Sequence, residues 1–306
     1  MKTQEQWIEL QNSLNIENRA FINGEYTLAI SGQMLDVVNP ATDETLTEIA
    51  RCQEEDVDLA VTCARQAFQA GEWSNSAPSH RKAVLSLFAD LIDEHREELA
   101  LLETLDTGKP INHSVSTDIP GAAGSLRWYA EAIDKVYGEV APTEKDVHAY
   151  ISHQPIGVVA AVVPWNFPLW LACWKLGPAL AAGNSVILKP SEKSSLTAIF
   201  LGKLANQAGL PRGVFQVITG FGHEAGDAQA EGDRRADQHQ DNQGAKQDSC
   251  GHGSSLPLGG FEIGYLFEID VGIGSASCTG RPQFQANDRG GSATLRCTGP
   301  AAARSS

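Results

Sequence analysis

Three short stretches of this sequence set polar side chains or bare glycines where a strand hands over to a helix. In "AAVVPWNFPLW" (160–170), Asn166 stands between Pro164 and Pro168. A carboxamide offers two N–H donors and no charge. At the mouth of a strand it can donate to an oxygen that gains negative charge as a carbonyl is attacked. The prolines stiffen the loop that holds it, and Trp165 adds a flat apolar wall. An asparagine in a β-to-α turn also suits a helix cap. In "LKPSE" (188–192), Pro190 ends a strand and leaves Lys189 and Glu192 facing a crevice. An acidic residue there accepts from ribose hydroxyls and repels a 2′-phosphate, and the lysine can bond the same sugar. A solvated ion pair has the same spacing. In "GFGHEAG" (220–226), the glycines follow G-x-G-x-x-x-G, one residue longer than the dinucleotide fingerprint and placed after a third strand rather than a first. A glycine turn at a strand end needs no ligand.

The surrounding periodicities say what must position these residues. "IGVVAAVVPW" is a continuous apolar run, the pattern of a parallel strand buried on both faces. "LWLACWKLGPALAAGN" reads as a helix and "SVILKP" as a short buried strand. "SSLTAIFLGKLANQAG" reads as an amphipathic helix closed by Gly209, and "GVFQVITGFG" as a third strand. This β-α-β-α-β order with short connections implies a parallel, doubly wound α/β sheet with right-handed crossovers. Ligands bind beyond the carboxyl ends of such strands, where all three polar stretches fall. Upstream, "FINGEY" reads as a strand and turn at Asn23-Gly24. A further extended stretch, "VVNPATDETLTEIA", is broken at Asn39-Pro40. Val57, Ala60, Val61, Ala64 and Phe68 recur at helical spacing. One long helix is expected from about His80, with Val84, Leu85, Phe88, Leu91, Ile92, Leu99 and Leu102 on its apolar stripe and Gly108 and Pro110 at its end. A third helix carries Leu126, Tyr129, Ile133 and Tyr137 and ends near Gly138.

The 306 residues carry a formal charge of −15, which argues against nucleic acid or an anionic membrane as partner. The amino terminus shows no apolar secretory core, no apolar run approaches the ~20 residues of a membrane span, and the six cysteines contain no C-x-x-C pair. Reduced thiols in a cytoplasmic protein, with no metal site, are the expectation. From about Gly226 the texture changes. Residues 226–306 hold 14 of the 29 glycines and a single lysine, Lys246. Glycine that dense raises the entropic cost of ordering beyond what the apolar content can offset, so a largely disordered tail is expected. Only "LGGFEIGYLFEIDVGIGSASCTG" promises one or two short strands.

At the residues quoted above the chain resembles the aldehyde dehydrogenase superfamily. "PWNFPLWLACWKLGPALAAGNSVILKPSE" looks like its Pro-Trp-Asn-Phe-Pro block and the Lys-Pro-Ser-Glu strand end that follows. "ALLETLDTGKPI" and "LRWYAEAIDKVYGEV" match upstream. With "RAFINGEY", "RKAVL" and "GFGHEAG", the likeness is nearest to the bacterial γ-glutamyl-γ-aminobutyraldehyde dehydrogenases of putrescine breakdown. It covers about residues 15–226. The resemblance implies NAD(P)-dependent oxidation of an aldehyde to a carboxylic acid through a cysteine thiolate and a glutamate-activated water. NAD is the expected cofactor, with NADP admissible, in a homo-oligomer. It further implies an oxyanion-hole role for Asn166 and a cofactor cleft lined by Val162, Val163, Pro164, Trp165, Lys189, Glu192, Gly222 and Gly226. The expected division is 1–150, strands and helices that precede the cofactor fold; 151–226, the first half of the NAD-binding, Rossmann-like domain; and 227–306, unmatched.

The departure is equally specific. The family continues with a Phe-Thr-Gly-Ser motif, a Leu-Glu-Leu-Gly-Gly strand that holds the general base, and a Gly-Gln-x-Cys segment that holds the nucleophile. None occurs here. Cys250, Cys278 and Cys297 lack the nucleophile's flanks, and Glu262 and Glu268 lack those of the base. A reading frame lost near Gly226 and a chain without catalytic activity are the expectations. A non-catalytic fragment that binds NAD or docks on a homologue is the alternative.

Overall fold

A computed structural model describes residues 2–226 and, beyond them, the backbone of short strand segments at 257–258, 261–262, 267–275, 283–284 and 295–296. After α1 (Gln4–Ser13) come β1 (Ala20–Ile22) and β2 (Glu25–Thr27), joined through Asn23 and Gly24 with φ of 51° and 78°. These are the left-handed angles of a two-residue hairpin turn. A separate hairpin, β3 (Met34–Asn39) and β4 (Glu44–Ala50), turns at Pro40 and leads into α2 (Glu54–Ala70). Then follow α3 (Pro78–Glu94), α4 (Arg96–Thr107), the single turn α5 (Ile111–His113) and α6 (Ile119–Ala132). A small antiparallel sheet contains β5 (Glu139–Ala141) and β6 (Val147–Pro155). The expected parallel unit comes last as β7 (Val158–Val162), α7 (Pro168–Ala182), β8 (Ser185–Lys189), α8 (Leu196–Ala208) and β9 (Phe215–Val217).

The main sheet has the order β2-β1-β9-β8-β7. Its two covered faces follow from strand alternation. Phe21, Val186, Leu188, Phe215 and Val217 face a core that includes α3, α7 and α8, whereas Ala20, Ile22, Ile187 and Ile218 face α2. Gly202 lets α8 pack close over the Phe21 ring of β1, because a Cβ there would lie 2.5 Å from that ring. Gln216, fully buried, ties three elements together. Its Oε1 accepts from Asn23 N at 3.1 Å, and its Nε2 donates to Ala60 O at 2.6 Å.

Several sequence expectations are corrected. The helix from His80 is two helices, because His95 (φ −90°, ψ 21°) leaves the helical path between α3 and α4; Leu99 and Leu102 belong to the second. The third helix leaves its regular path at Ile133, and Tyr137 is exposed. β7 is half-buried rather than covered on both faces, since β8 is its one neighbour among the described residues; β8 is the strand buried throughout. The expected parallel strands β7, β8 and β9 are present, and β1 extends the same sheet antiparallel to β9. The sheet therefore joins residues from both sides of position 150.

Of the strands expected beyond 226, β10 (Pro257–Leu258) pairs with β11 (Phe261–Glu262), and β12 (Phe267–Ser275) runs antiparallel along β6. Apart from these strand segments, the expected disordered tail lies outside the described residues.

Asp106 of α4 is buried, and its Oδ2 accepts from Leu196 N, the first N–H of α8, at 2.9 Å. Burial raises this carboxyl from 3.8 to about 7, against the pull of the Leu196 N–H. An acid raised on folding contributes stability that is fully present below its unfolded pKa and is lost as pH rises through the folded one. Between about pH 4 and about pH 7 the urea midpoint of Asp106→Asn, which keeps an acceptor for Leu196, should therefore fall less than that of the parent chain. Identical slopes would mean that Asp106 ionises in the folded chain as it does in the unfolded one.

Candidate functional site

The three polar loops leave one side of the sheet together. Past β7, Val163 N donates to Lys189 O at 3.1 Å, and past β9, Ile218 N donates to Leu188 O at 3.0 Å. These bonds set the loops at 163–167, 189–195 and 218–226 beside one another at the carboxyl ends of β7, β8 and β9.

Val163 is buried, while Val162, Pro164, Trp165 and Asn166 are exposed. The cap residue of α7 is Phe167 (φ −140°, ψ 63°), and it makes no side-chain cap bond. Asn166 does not cap the helix either, and no hydrogen bond of its amide is found among the described residues. A residue from α4 serves α7 instead: Glu103 Oε2 accepts from Leu169 N at 3.4 Å. Glu103 and Asp106 thus each meet an N–H in the first turn of a crossover helix, where unpaired donors and the helix dipole favour an acceptor.

Glu103 is fully buried, and burial pushes its carboxyl up to about 8. The Lys109 ammonium, 3.5 Å from its Oε1, pulls the other way. Lys109 also binds Asp118 Oδ2 at 2.6 Å and lies 3.8 Å from the centre of the Phe167 ring.

Lys189 is buried, not a surface cation. Its Nζ is 3.7 Å from Glu192 Oε2, and Glu192 is partly open. Burial lowers the Lys189 pKa, and Glu192 partly restores it. Gly226 closes over this pair, since a Cβ at Gly226 would lie 4.0 Å from Lys189 Cε. Gly222 faces open space. The structure therefore brings Val163, Lys189, Glu192 and Gly226 together and sets Trp165 and Asn166 on the neighbouring loop.

The glycine stretch forms a wide single turn, 222–226, anchored from an unexpected direction. Cys52 N donates to Thr219 O at 3.1 Å, and Arg51 grips Glu224 through two bonds, Nη2–Oε1 at 2.5 Å and Nε–Oε2 at 3.0 Å. The same guanidinium lies over Phe221, 5.0 Å from the ring centre. Arg51 had no sequence signal beyond its charge. Glu103 and Asp106 did have one. They continue the buried period of Leu99 and Leu102, and a carboxylate on an apolar stripe calls for a buried partner.

Two of the three described cysteines, Cys52 and Cys173, are buried, and burial raises both thiols, Cys52 to about 12. Cys63, half-buried, is raised too. None is suited to act as a thiolate near neutral pH. Among the described residues no cluster of three metal-ligating side chains occurs, and no helix is long and apolar enough to cross a membrane.

Comparison with known proteins gives consistent likenesses. The family model described as "Aldehyde dehydrogenase family" matches residues 27–235. The chain is 63% identical over 222 residues to the NADP/NAD-dependent aldehyde dehydrogenase PuuC of Escherichia coli (strain K12), covering 72% of this chain and 45% of that protein. It is 47% identical over 225 residues to an aminoacetaldehyde dehydrogenase of Pseudomonas aeruginosa, covering 74% and 45%. Among solved structures it is similar to a P. syringae indole-3-acetaldehyde dehydrogenase variant in complex with NAD+ and IAA, with TM-score 0.74 and 53% identity, covering 75% of this chain and 46% of that one. It is also similar to a γ-glutamyl-γ-aminobutyraldehyde dehydrogenase from Burkholderia cenocepacia J2315, with TM-score 0.72 and 54% identity, covering 74% and 45%. The chain spans a little under half the length of the curated relatives named here.

Arg51→Ala should free the glycine turn without loosening the sheet. Hydrogen exchange at the 222–226 amides is expected to accelerate at least tenfold while the amides of α7 and α8 keep their protection. Unchanged exchange would show that the turn holds itself.

Proposed function

Because this chain belongs to the aldehyde dehydrogenase family, we propose that residues 15–226 form the amino-terminal part of an NAD(P)-dependent enzyme fold that oxidises an aldehyde to a carboxylic acid. The observation that carries this reading is the convergence of the Asn166 loop, the Lys189–Glu192 pair and Gly226 beyond three adjacent parallel strands. Lys189 and Glu192 suit ribose hydroxyls, as donor and acceptor. Val162, Val163, Pro164, Trp165, Gly222 and Gly226 complete the cleft, and the glycines leave room for close backbone approach. NAD(P)+, when bound, supplies the hydride acceptor. Asn166 presents an uncharged donor to the aldehyde oxygen, and it is available for that because Glu103 serves the helix beside it. The names of two relatives support an aminoaldehyde of the aminobutyraldehyde type as substrate, and the sequence resemblance supports a place in putrescine breakdown. A cytoplasmic homo-oligomer is the setting that the family resemblance implies.

The chain itself is read as catalytically silent. No described cysteine suits a nucleophile, and Cys250, Cys278 and Cys297, outside the described residues, lack the family's flanking sequence. A frame lost near Gly226 accounts for the change of texture there. Translation of the downstream DNA in the other two frames should reveal the Phe-Thr-Gly-Ser and Gly-Gln-x-Cys motifs. The second reading, a fragment that binds NAD without turnover, is favoured by the intact Lys189–Glu192–Gly226 arrangement.

Purified chain mixed with aminobutyraldehyde and NAD+ should form no NADH above background, and tryptophan fluorescence titrated with NAD+ to millimolar concentration reports whether the half-cleft binds. Turnover that vanishes when Cys250, Cys278 or Cys297 is replaced would overturn the silent reading. Joining residues 1–226 to the remainder of the E. coli relative tests Asn166 directly. In that joined chain, Asn166→Ala should lower kcat by roughly 10²–10³-fold, the cost of one lost oxyanion donor, with little change in KM.

A further inference from the structure

The amide of Asn166 makes no hydrogen bond among the described residues, so its position is inherited from its neighbours. On one side Val163 is fixed to Lys189 O. On the other, the Phe167 ring is partly exposed and has no enclosing core to hold it. Two groups hold the ring instead. Trp170 meets it edge-on, with centroids 6.1 Å apart at 84°, and is itself seated by a bond from its Nε1 to Ser125 Oγ at 3.2 Å. Beneath the ring lies the Lys109 ammonium, 3.8 Å from its centre.

That ammonium is held firmly. Asp118, buried, binds it at 2.6 Å, and Glu103, fully buried, lies at 3.5 Å. Of the three N–H donors of an ammonium, one goes to Asp118, while the π face and the Glu103 carboxyl lie beside it. Gly108 (φ 75°) ends α4 and turns the chain so that Lys109 reaches this place. The cluster also reaches past the ring, because Glu103 accepts from Leu169 N in the first turn of α7.

We propose that Lys109 is a positioning residue for the Asn166 amide: fixed by Asp118 and Glu103, its ammonium holds the Phe167 ring, and with it the loop that aims the carboxamide. The proposal rests on the reading of Asn166 as a donor to a carbonyl oxygen. It adds a cation–π contact, strengthened by partial desolvation, to the prolines as the source of the loop's rigidity.

The test uses the full 306-residue chain labelled with 15N, with order parameters read for the backbone amides of Trp165, Asn166 and Phe167 and for the Asn166 side chain. Parent chain and Lys109→Arg should give values near the rigid limit of about 0.85, and Lys109→Met should drop them below about 0.6. The indole N–H of Trp73, buried and bonded to Leu180 O, reports the core and should not move; a merely structural loss would move both. Phe167→Leu leaves the charges in place and removes the ring, and it should release the loop to the same extent, with no further effect from Lys109→Met in its background. Loop values that stay rigid in Lys109→Met, or in Phe167→Leu should the methionine variant fail to fold, would overturn the proposal. Additive effects of the two changes would overturn it as well. Failure of the Asn166 reading shows elsewhere, as an unchanged kcat for Asn166→Ala in the joined chain.

Discussion

One helix supplies an acceptor to the start of both crossover helices, and the loops that carry the candidate site hang from those starts. Glu103 meets Leu169 N of α7, and one turn later Asp106 meets Leu196 N of α8. A helix begins with N–H groups that have no partner inside it. When that end is buried, the missing acceptor must come from another element. By filling both vacancies, α4 ties the Asn166 loop and the loop after Lys189 to one rigid support. It also leaves the polar side chains of those loops free of capping duty.

Burying two carboxyl groups against the starts of two helices is costly, and the two are compensated differently. Asp106 relies on a backbone N–H and on holding its proton toward neutral pH. Glu103 relies on Lys109, whose ammonium is in turn held by Asp118. The charge brought in to steady Glu103 is the one that lies under Phe167. Support of the fold and placement of the loop are therefore served by the same atoms, and a change to either is felt by both. On the opposite rim, Arg51 and Glu224 play the corresponding part for the glycine turn.

Much of this architecture is legible in the sequence because local signals carry it. Asn23-Gly24 announces a hairpin, helical spacing from Val57 to Phe68 announces α2, and the alternation of apolar runs with amphipathic stretches announces β7 through β9. The polar loops between them were readable as a group. What stays hidden is set by distance. The pairing of β1 with β9 depends on residues nearly the whole described chain apart. The break at His95 involves neither glycine nor proline. The exposure of β7 depends on which strands lie next to it. The clusters around Lys109 and Arg51 join segments whose ionic partners are not at helical spacing. Only the carboxylates on the α4 stripe had left a visible trace.

The pairing of the first hairpin with β9 also sets a clock. Asn23 and Gln216, bonded across that junction, are 193 residues apart. At roughly 5–20 residues per second of synthesis, the hairpin waits about 10–40 s on the ribosome before its partner strand emerges. Throughout that interval the edge of β1 is open to whatever strand drifts past. Once Val217 has emerged the seam can close, and the described pairings of that seam all lie before Gly226.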